Sequence, residues 1–374
     1  GLRPAGGNTD ANGIGDFAYA PPSGYLALCT ANLPTPTIVD GSTAFNTTLW
    51  AGNGVTGRAI TGVGHQPDFL WVKGRNLVIS HYLQDSVRGA TRYLYSDGTN
   101  AEGSTDDTVD SFDSDGFTLG NDGGTNASGY NYVGWSWKAG GTAVSNTAGS
   151  ITSQVSANVD AGFSIVSYTG TGANATVGHG LNSAPEMIIT KARTNGSSYW
   201  LTYHSGLASP STSYMSLNTT NAVDTGGASV WNSTSPTSSV FSVGTSTWVN
   251  PSGGTMIAYC FHSVEGFSKV GSYTGNGSTN GAFVYTGFRP AWVMVKGSSA
   301  AESWTIWDNK RNAYNTASNF LYANTSNSEL SPAEVDFVSN GFKLRNASSQ
   351  GNVSGRTYIY LAFAEHPFKY ANAR

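Results

Sequence analysis

Sugar chemistry is the first thing the residue types of this chain suggest. Cleaving a glycosidic bond takes two carboxylates about 5–10 Å apart across the sugar, and Asp85, Glu102, Asp308 and Glu329 are loop acids that could supply a pair. With 23 Asp+Glu in 374 residues some pair always exists, so a hydrolase is the minor reading. Holding a sugar needs less: an aromatic face to stack on the ring, and amides or carboxylates for its hydroxyls. Trp200, Tyr203, Trp231, Trp248, Trp304 and Trp307 are the candidates. A Trp within a strand belongs to a core. Trp231 and Trp248 instead lie in Ser/Thr/Asn/Gly-rich stretches, which makes them the two expected ligand-binding residues.

Other constellations carry less. The run from Asp106 to Gly116 offers enough hard oxygens for a structural Ca²⁺ ion, with Asp110, Asp113 and Asp115 as its ligands. Its spacing is not that of an EF-hand, and a solvated loop is the preferred reading; no other cofactor is expected. The histidines His65, His81, His179, His204, His262 and His366 form no His-x-x-x-His pair and no Cys/His zinc set. His81 and His204 follow two related lysines by eight and thirteen residues, where Trp307-Asp308 stands in a third segment, so they read as structural. There is no Gly-x-Ser-x-Gly elbow. Gly52-Asn-Gly54-Val-Thr-Gly57 matches a dinucleotide fingerprint, but no helix follows it. Tyr168-Thr-Gly-Thr-Gly172 and Tyr273-Thr-Gly-Asn-Gly277 identify it as a recurring turn.

The elements that must position these residues recur as well. An aromatic-led strand ends in aromatic-x-Gly at Gly52, Gly170 and Gly275; a proline follows fifteen residues later at Pro67, Pro185 and Pro290. Six residues beyond each proline comes a lysine, closing Pro67-Asp-Phe-Leu-Trp-Val-Lys73, Pro185-Glu-Met-Ile-Ile-Thr-Lys191 and Pro290-Ala-Trp-Val-Met-Val-Lys296. Later, Ser-x-x-Phe recurs at Phe117, Phe241 and Phe342, and apolar aromatic strands end at Trp137, Phe261 and Phe363. The apolar runs are short, bounded by Gly, Pro, Asn or Asp, and rich in Val, Ile, Thr and aromatics, as strands are. Only Pro332-Ala-Glu-Val-Asp-Phe337 offers a short helix. The expected fold is therefore all-β: three tandem antiparallel β-sandwich repeat units of jelly-roll or concanavalin-like type over 45–141, 163–266 and 267–374. Residues 1–44 read as an N-terminal arm or the end of an upstream domain, with a linker broken by proline at Leu33-Pro-Thr-Pro-Thr-Ile38. The Ser/Thr/Ala-rich segment 142–162 reads as a second linker, with an extended strand along the surface. The second and third units abut, which predicts rigid stacking.

Composition narrows the partners. Charged residues make up 11% of the chain and the formal net charge is −4, which leaves no basic footprint for nucleic acid. No run of about 18 apolar residues predicts a membrane-inserted segment. Cys29 and Cys260 build no disulfide framework, and Cys260 reads as a buried reduced thiol. The start at Gly1, without Met or a signal pattern, reads as a processed form or fragment. A Ser/Thr/Asn/Gly surface suits an extracellular setting.

At the level of motifs the chain resembles the C-terminal repeat region of tail-fibre or appendage proteins of marine bacteriophages, including cyanophages. The residues that carry the likeness are Ala18-Tyr-Ala-Pro-Pro-Ser-Gly-Tyr25, Ala31-Asn-Leu-Pro34, Asp85-Ser-Val-Arg-Gly89, Ser114-Asp-Gly-Phe117, Gly134-Trp-Ser-Trp-Lys-Ala-Gly140, Thr176-Val-Gly-His-Gly-Leu181, Gly271-Ser-Tyr-Thr-Gly-Asn-Gly277, Val284-Tyr-Thr-Gly-Phe-Arg-Pro290 and Ala362-Phe-Ala-Glu-His-Pro-Phe368. In that family a SPRY-like domain often precedes this region. The resemblance implies a non-enzymatic virion-surface subunit, a homotrimer touching other virion proteins, which binds host cell-surface polysaccharide or a receptor through sandwich loops. A purely structural spacer or decoration protein and a polysaccharide depolymerase are its alternatives. The resemblance supplies no catalytic or ligand residues.

Overall fold

The computed structural model describes residues 6–32 and 36–364. The first five residues, residues 33–35 of the proline-broken linker, and the Glu365-His-Pro-Phe368 end of the last motif with its His366 lie outside the described residues. What is described is all-β, and every strand pair is antiparallel. The longest helix among these residues is a single turn, Ala228–Trp231, and none is long and apolar enough to cross a membrane.

One strand order occurs three times. Phe45–Ala51, Asn131–Trp137, Phe69–Gly74, Tyr82–Asp85 and Gly89–Tyr95 lie side by side in that order. So do Phe163–Thr169, Thr255–Phe261, Met187–Ala192, Leu201–His204 and Met215–Ser216, and likewise Ser268–Thr274, Thr357–Ala364, Pro290–Gly297, Thr305–Asp308 and Leu321–Tyr322. Each of these large sheets is covered by a small one: Arg58–Thr61, Gly116–Leu119 and Val109–Asp113 over the first, Ala175–Gly178 and Val240–Val243 over the second, Phe283–Tyr285, Gly341–Leu344 and Val335–Val338 over the third. Two segments differ from their sequence reading. Within 142–162 the expected extended strand forms at Ser153–Asn158, but it pairs with Phe163–Thr169 and carries Val144–Asn146 on its outer edge, so the segment extends the second large sheet instead of linking units, with Ile151 and Val155 in the core. Pro332–Phe337 forms no helix, because Val335 and Phe337 alternate inward with period two and pair with Gly341–Leu344 across a two-residue turn.

Alternation explains why the central strands are apolar throughout. In Phe69–Gly74, Leu70 and Val72 face their own small sheet while Phe69 and Trp71 face the other way. Met187 and Ile189, Trp292 and Met294, then Trp135 and Trp137, Tyr259 and Phe261, Leu361 and Phe363 point to that same second side. These outward residues of all three large sheets merge into one aromatic core. Phe69 stacks on Tyr259 at 4.2 Å, Phe45 on Phe363 at 4.9 Å, and Phe261 meets Phe363 edge-on at 6.2 Å, so each sandwich touches both others. The three are therefore closed on a shared hub rather than strung in file.

Polar groups at the joints form a cycle. Lys73 Nζ donates to the Ser326 carbonyl of the third sandwich at 3.2 Å, Lys191 to Thr99 of the first at 3.1 Å, and Lys296 to Thr220 of the second at 3.3 Å. Burial pushes these ammonium groups down to about 8, 8 and 7. The cycle recurs one layer away, where His81 Nε2 bonds Tyr322 O at 2.9 Å, Trp200 Nε1 donates to Tyr95 O at 2.7 Å and Trp304 Nε1 to Ser216 O at 3.0 Å. His81 thus corresponds to Trp200 and Trp304. His204, which the sequence aligns with His81, instead stands opposite Met187 as Asp85 does opposite Phe69 and Asp308 opposite Trp292. Cys260 is free and fully buried, and Cys29 is free.

Two outcomes follow from this arrangement. Phe363→Ala should cost about 3–5 kcal/mol, and urea unfolding of the whole chain should show one cooperative transition; three separable transitions would contradict a shared hub. The second concerns acid. His204 Nδ1 accepts the Gly206 amide at 3.0 Å, so its proton sits on Nε2 and points at Tyr360 O. Burial lowers its pKa from 6.5 to about 4. Between those values the unfolded chain binds the extra proton and the folded one does not, so stability present above pH 6.5 is lost as the pH falls to 4. The full loss is on the order of 3 kcal/mol. Urea midpoints measured across that range should fall more steeply in the unaltered protein than in His204→Gln.

Candidate functional site

The two expected ligand tryptophans part company. Trp231 is 1% exposed, donates Nε1 to Ser213 O at 3.0 Å and lies edge-on to Tyr203 in the core of the second sandwich. This corrects its placement as a loop residue open to ligand. The physical reason is that the second small sheet has two strands where the others have three. Val230 and Trp231 fill the vacant edge, with Gly244 N bonded to Val230 O. Trp200, Tyr203, Trp304 and Trp307 are core residues.

Trp248 is half-buried and forms one wall of a cleft of about 230 Å³. Tyr199, 36% exposed, stands edge-on to it at 5.2 Å, and Tyr214 closes the base at 6.5 Å. Asn221 and Asp224 bring an amide and a carboxylate to the other wall. Burial, then the Asp224 carboxylate beside it, pushes the Tyr214 hydroxyl up to about 12, so it stays a neutral donor. The strap carrying Asn221 and Asp224 is fixed by Val223 N to Ser298 O at 2.8 Å and by paired backbone bonds between Tyr214 and Asp224. The cleft combines aromatic faces with hydroxyl partners at the size of one sugar residue. Tyr199 directly precedes Trp200 at a strand entry, and in-out alternation there is the signal that marks it as outward.

The expected cation ligands do not converge. Asp113 accepts the hydroxyls of Ser111 and Thr118, both at 2.8 Å, while Asp115 accepts the amides of Gly62 and Gly64 at 3.1 and 2.7 Å and Asp110 is exposed. Asp113 and Asp115 each serve their own turn, and among the described residues no three acidic, His or Cys side chains gather to hold a metal. The four acids of the hydrolase reading are tied up at the joints. Asp85 and Asp308 are fully buried and pair with Arg88 and Arg311. Glu102 meets Arg193 at 2.8 Å and Arg88 at 3.3 Å; Glu329 meets Arg75 at 3.0 Å and Arg311 at 3.2 Å. Burial alone would raise the Glu102 carboxyl, but Arg193 and Arg88 hold it below its ordinary value.

The glycine turns have a structural cause that the glycines alone did not disclose. Gly54, Gly172 and Gly277 adopt φ near 70° (70, 73 and 67°), and beneath them lie the fully buried Asn126, Asn250 and Asn352. Each asparagine accepts the amide of the intervening residue, Asn53, Thr171 or Asn276, at 3.1, 2.7 and 2.9 Å. The amides that would cradle a phosphate are used internally.

Replacing the two tryptophans separates core from cleft: Trp231→Ala should cost about 3–5 kcal/mol in urea unfolding, and Trp248→Ala less than half of that, since part of its ring already faces water. Equal costs would place Trp248 in the core. Compared with curated proteins, the chain has no match. A family model described as a domain of unknown function, DUF7483, matches residues 40–367, which takes in all three sandwiches, and the chain belongs to that family.

Proposed function

We propose that this chain is a non-enzymatic surface subunit of a phage particle, of the tail-fibre or appendage type, and that it binds polysaccharide of the host envelope through the Trp248 cleft. The observation that carries the reading is the Tyr199–Trp248 pair set over Asn221 and Asp224, an apolar face beside hydroxyl partners. The motif resemblance and the charge-poor surface support the setting on a virion. A single cleft this small grips one sugar weakly, and joining three copies in a homotrimeric fibre would raise the avidity for a repeating polymer.

The test is binding of the purified protein to host cells and to their extracted surface polysaccharide. Saturable binding that free polysaccharide competes away is expected, with Trp248→Ala and Tyr199→Ala each weakening it at least tenfold without shifting the urea midpoint far. Absence of binding by the folded, unaltered protein overturns the reading in favour of a spacer or decoration role. Release of reducing ends would overturn the non-enzymatic part.

A further inference from the structure

The level occupied by the Trp248 cleft exists in all three sandwiches, and the side chains there differ. Trp248 lies two residues before the buried Asn250; Gly124 and Gln350 lie two before Asn126 and Asn352. Tyr199 precedes Trp200 as Ser303 precedes Trp304, and Ser216 pairs with Leu201 as Tyr95 does with Tyr82 and Tyr322 with Thr305. In the first sandwich the site is closed. A Cβ on Gly124 would sit 2.1 Å from the Tyr82 ring, which packs against Tyr93 and Tyr95 at 5.4 and 5.1 Å. In the third it is open as a cavity of about 270 Å³, lined by Glu302, Ser303, Thr305, Tyr322, Gln350 and Arg356, with Thr220 of the second sandwich at its margin.

Glu302 Oε2 and Thr305 Oγ1 are buried behind that wall, out of reach of the cavity, so the groups a ligand can touch are those of Ser303, Tyr322, Gln350 and Arg356. The Glu302 side chain is 4% exposed, and Arg356 neutralises its charge through the other oxygen. Gln350 Nε2 donates to Tyr322 Oη at 2.7 Å on the rim. The two other joints carry Arg75–Glu329 and Arg193–Glu102 pairs; here Ser298 and Val223 take those places, with Val223 N bonded to Ser298 O as Glu329 N is to Arg75 O and Glu102 N to Arg193 O.

We propose that this cavity is a second saccharide subsite, taking one hydroxyl-rich sugar residue between Ser303, Tyr322, Gln350 and Arg356. The wall is polar yet charge-balanced, which suits a neutral polyol better than a cation. The proposal rests on the glycan reading of the Trp248 cleft, of which this is the counterpart one sandwich on. Together the two make the chain bivalent for a repeating polymer.

Calorimetric titration with purified di- and trisaccharide fragments of the host surface polysaccharide tests it. The unaltered protein should bind two fragments per chain. Trp248→Ala should leave one, and Gln350→Ala at the rim should weaken the other about tenfold. Gln350 is half-buried and outside the hub, so its variant stays folded; thermal melts check this. One fragment per chain, lost with Trp248→Ala and untouched by Gln350→Ala, overturns the second subsite alone. No binding of any fragment or of whole polysaccharide to the unaltered protein overturns the glycan reading, and this inference with it.

Discussion

Everything in this molecule depends on the double burial of its three large sheets. A sheet covered on one face only can alternate apolar and polar residues along its strands. Here Phe69–Gly74, Met187–Ala192 and Pro290–Gly297 are buried along their whole length, so no sandwich can stand alone without exposing a face of Trp, Phe and Met. Closing three of them on one hub removes that face from water, at about 25 cal/mol per Å² of apolar surface. The low charge of the chain belongs with this solution, since its large interior has few places where a charge can be solvated.

The charges that do enter the interior are satisfied across joints. Lys73, Lys191 and Lys296 each stand one residue before the end of a central strand and reach carbonyls of the neighbouring sandwich. An unpaired buried ammonium would be far more costly than these carbonyl contacts, so the lysines specify which sandwich sits next to which. Asp85 with Tyr259, at 2.8 Å, and Asp308 with Trp135, at 3.0 Å, repeat that specification at two joints. The remaining joint uses the neutral His204 instead, and it is there that the arginine–glutamate pair is missing and the wall opens.

Near-equivalent positions diverge at one level of this fold. The same level holds a tyrosine cluster in the first sandwich, an aromatic cleft in the second and a polar cavity in the third. Reading loops by composition missed this. Trp231 and Trp248 sit in equally polar stretches, yet Trp231 is core because it fills the edge that a two-stranded small sheet leaves open, and nothing within a few residues of it reports a missing strand elsewhere. The Ser/Thr/Ala composition of 142–162 misled in the same way: an edge hairpin with one face in water needs only Ile151 and Val155 inward. The Pro332–Phe337 segment shows that a short mixed run cannot be assigned by period until its pairing partner is known.

Local pattern by itself determined the all-β character, the apolar central strands, the recurring glycine turns and the lysine that ends each Pro-to-Lys segment, because each follows from alternation, turn chemistry and spacing within a few residues. Only the tertiary structure decided that the lysines point into neighbouring sandwiches, that His81 matches Trp200 rather than His204, that Asp85, Glu102, Asp308 and Glu329 are joint carboxylates, and that Tyr199, Trp248 and Asp224 meet in one cleft. These are contacts between residues far apart in the chain. They are set by how three sheets close on a shared core, a constraint that acts in space and leaves no period along the sequence.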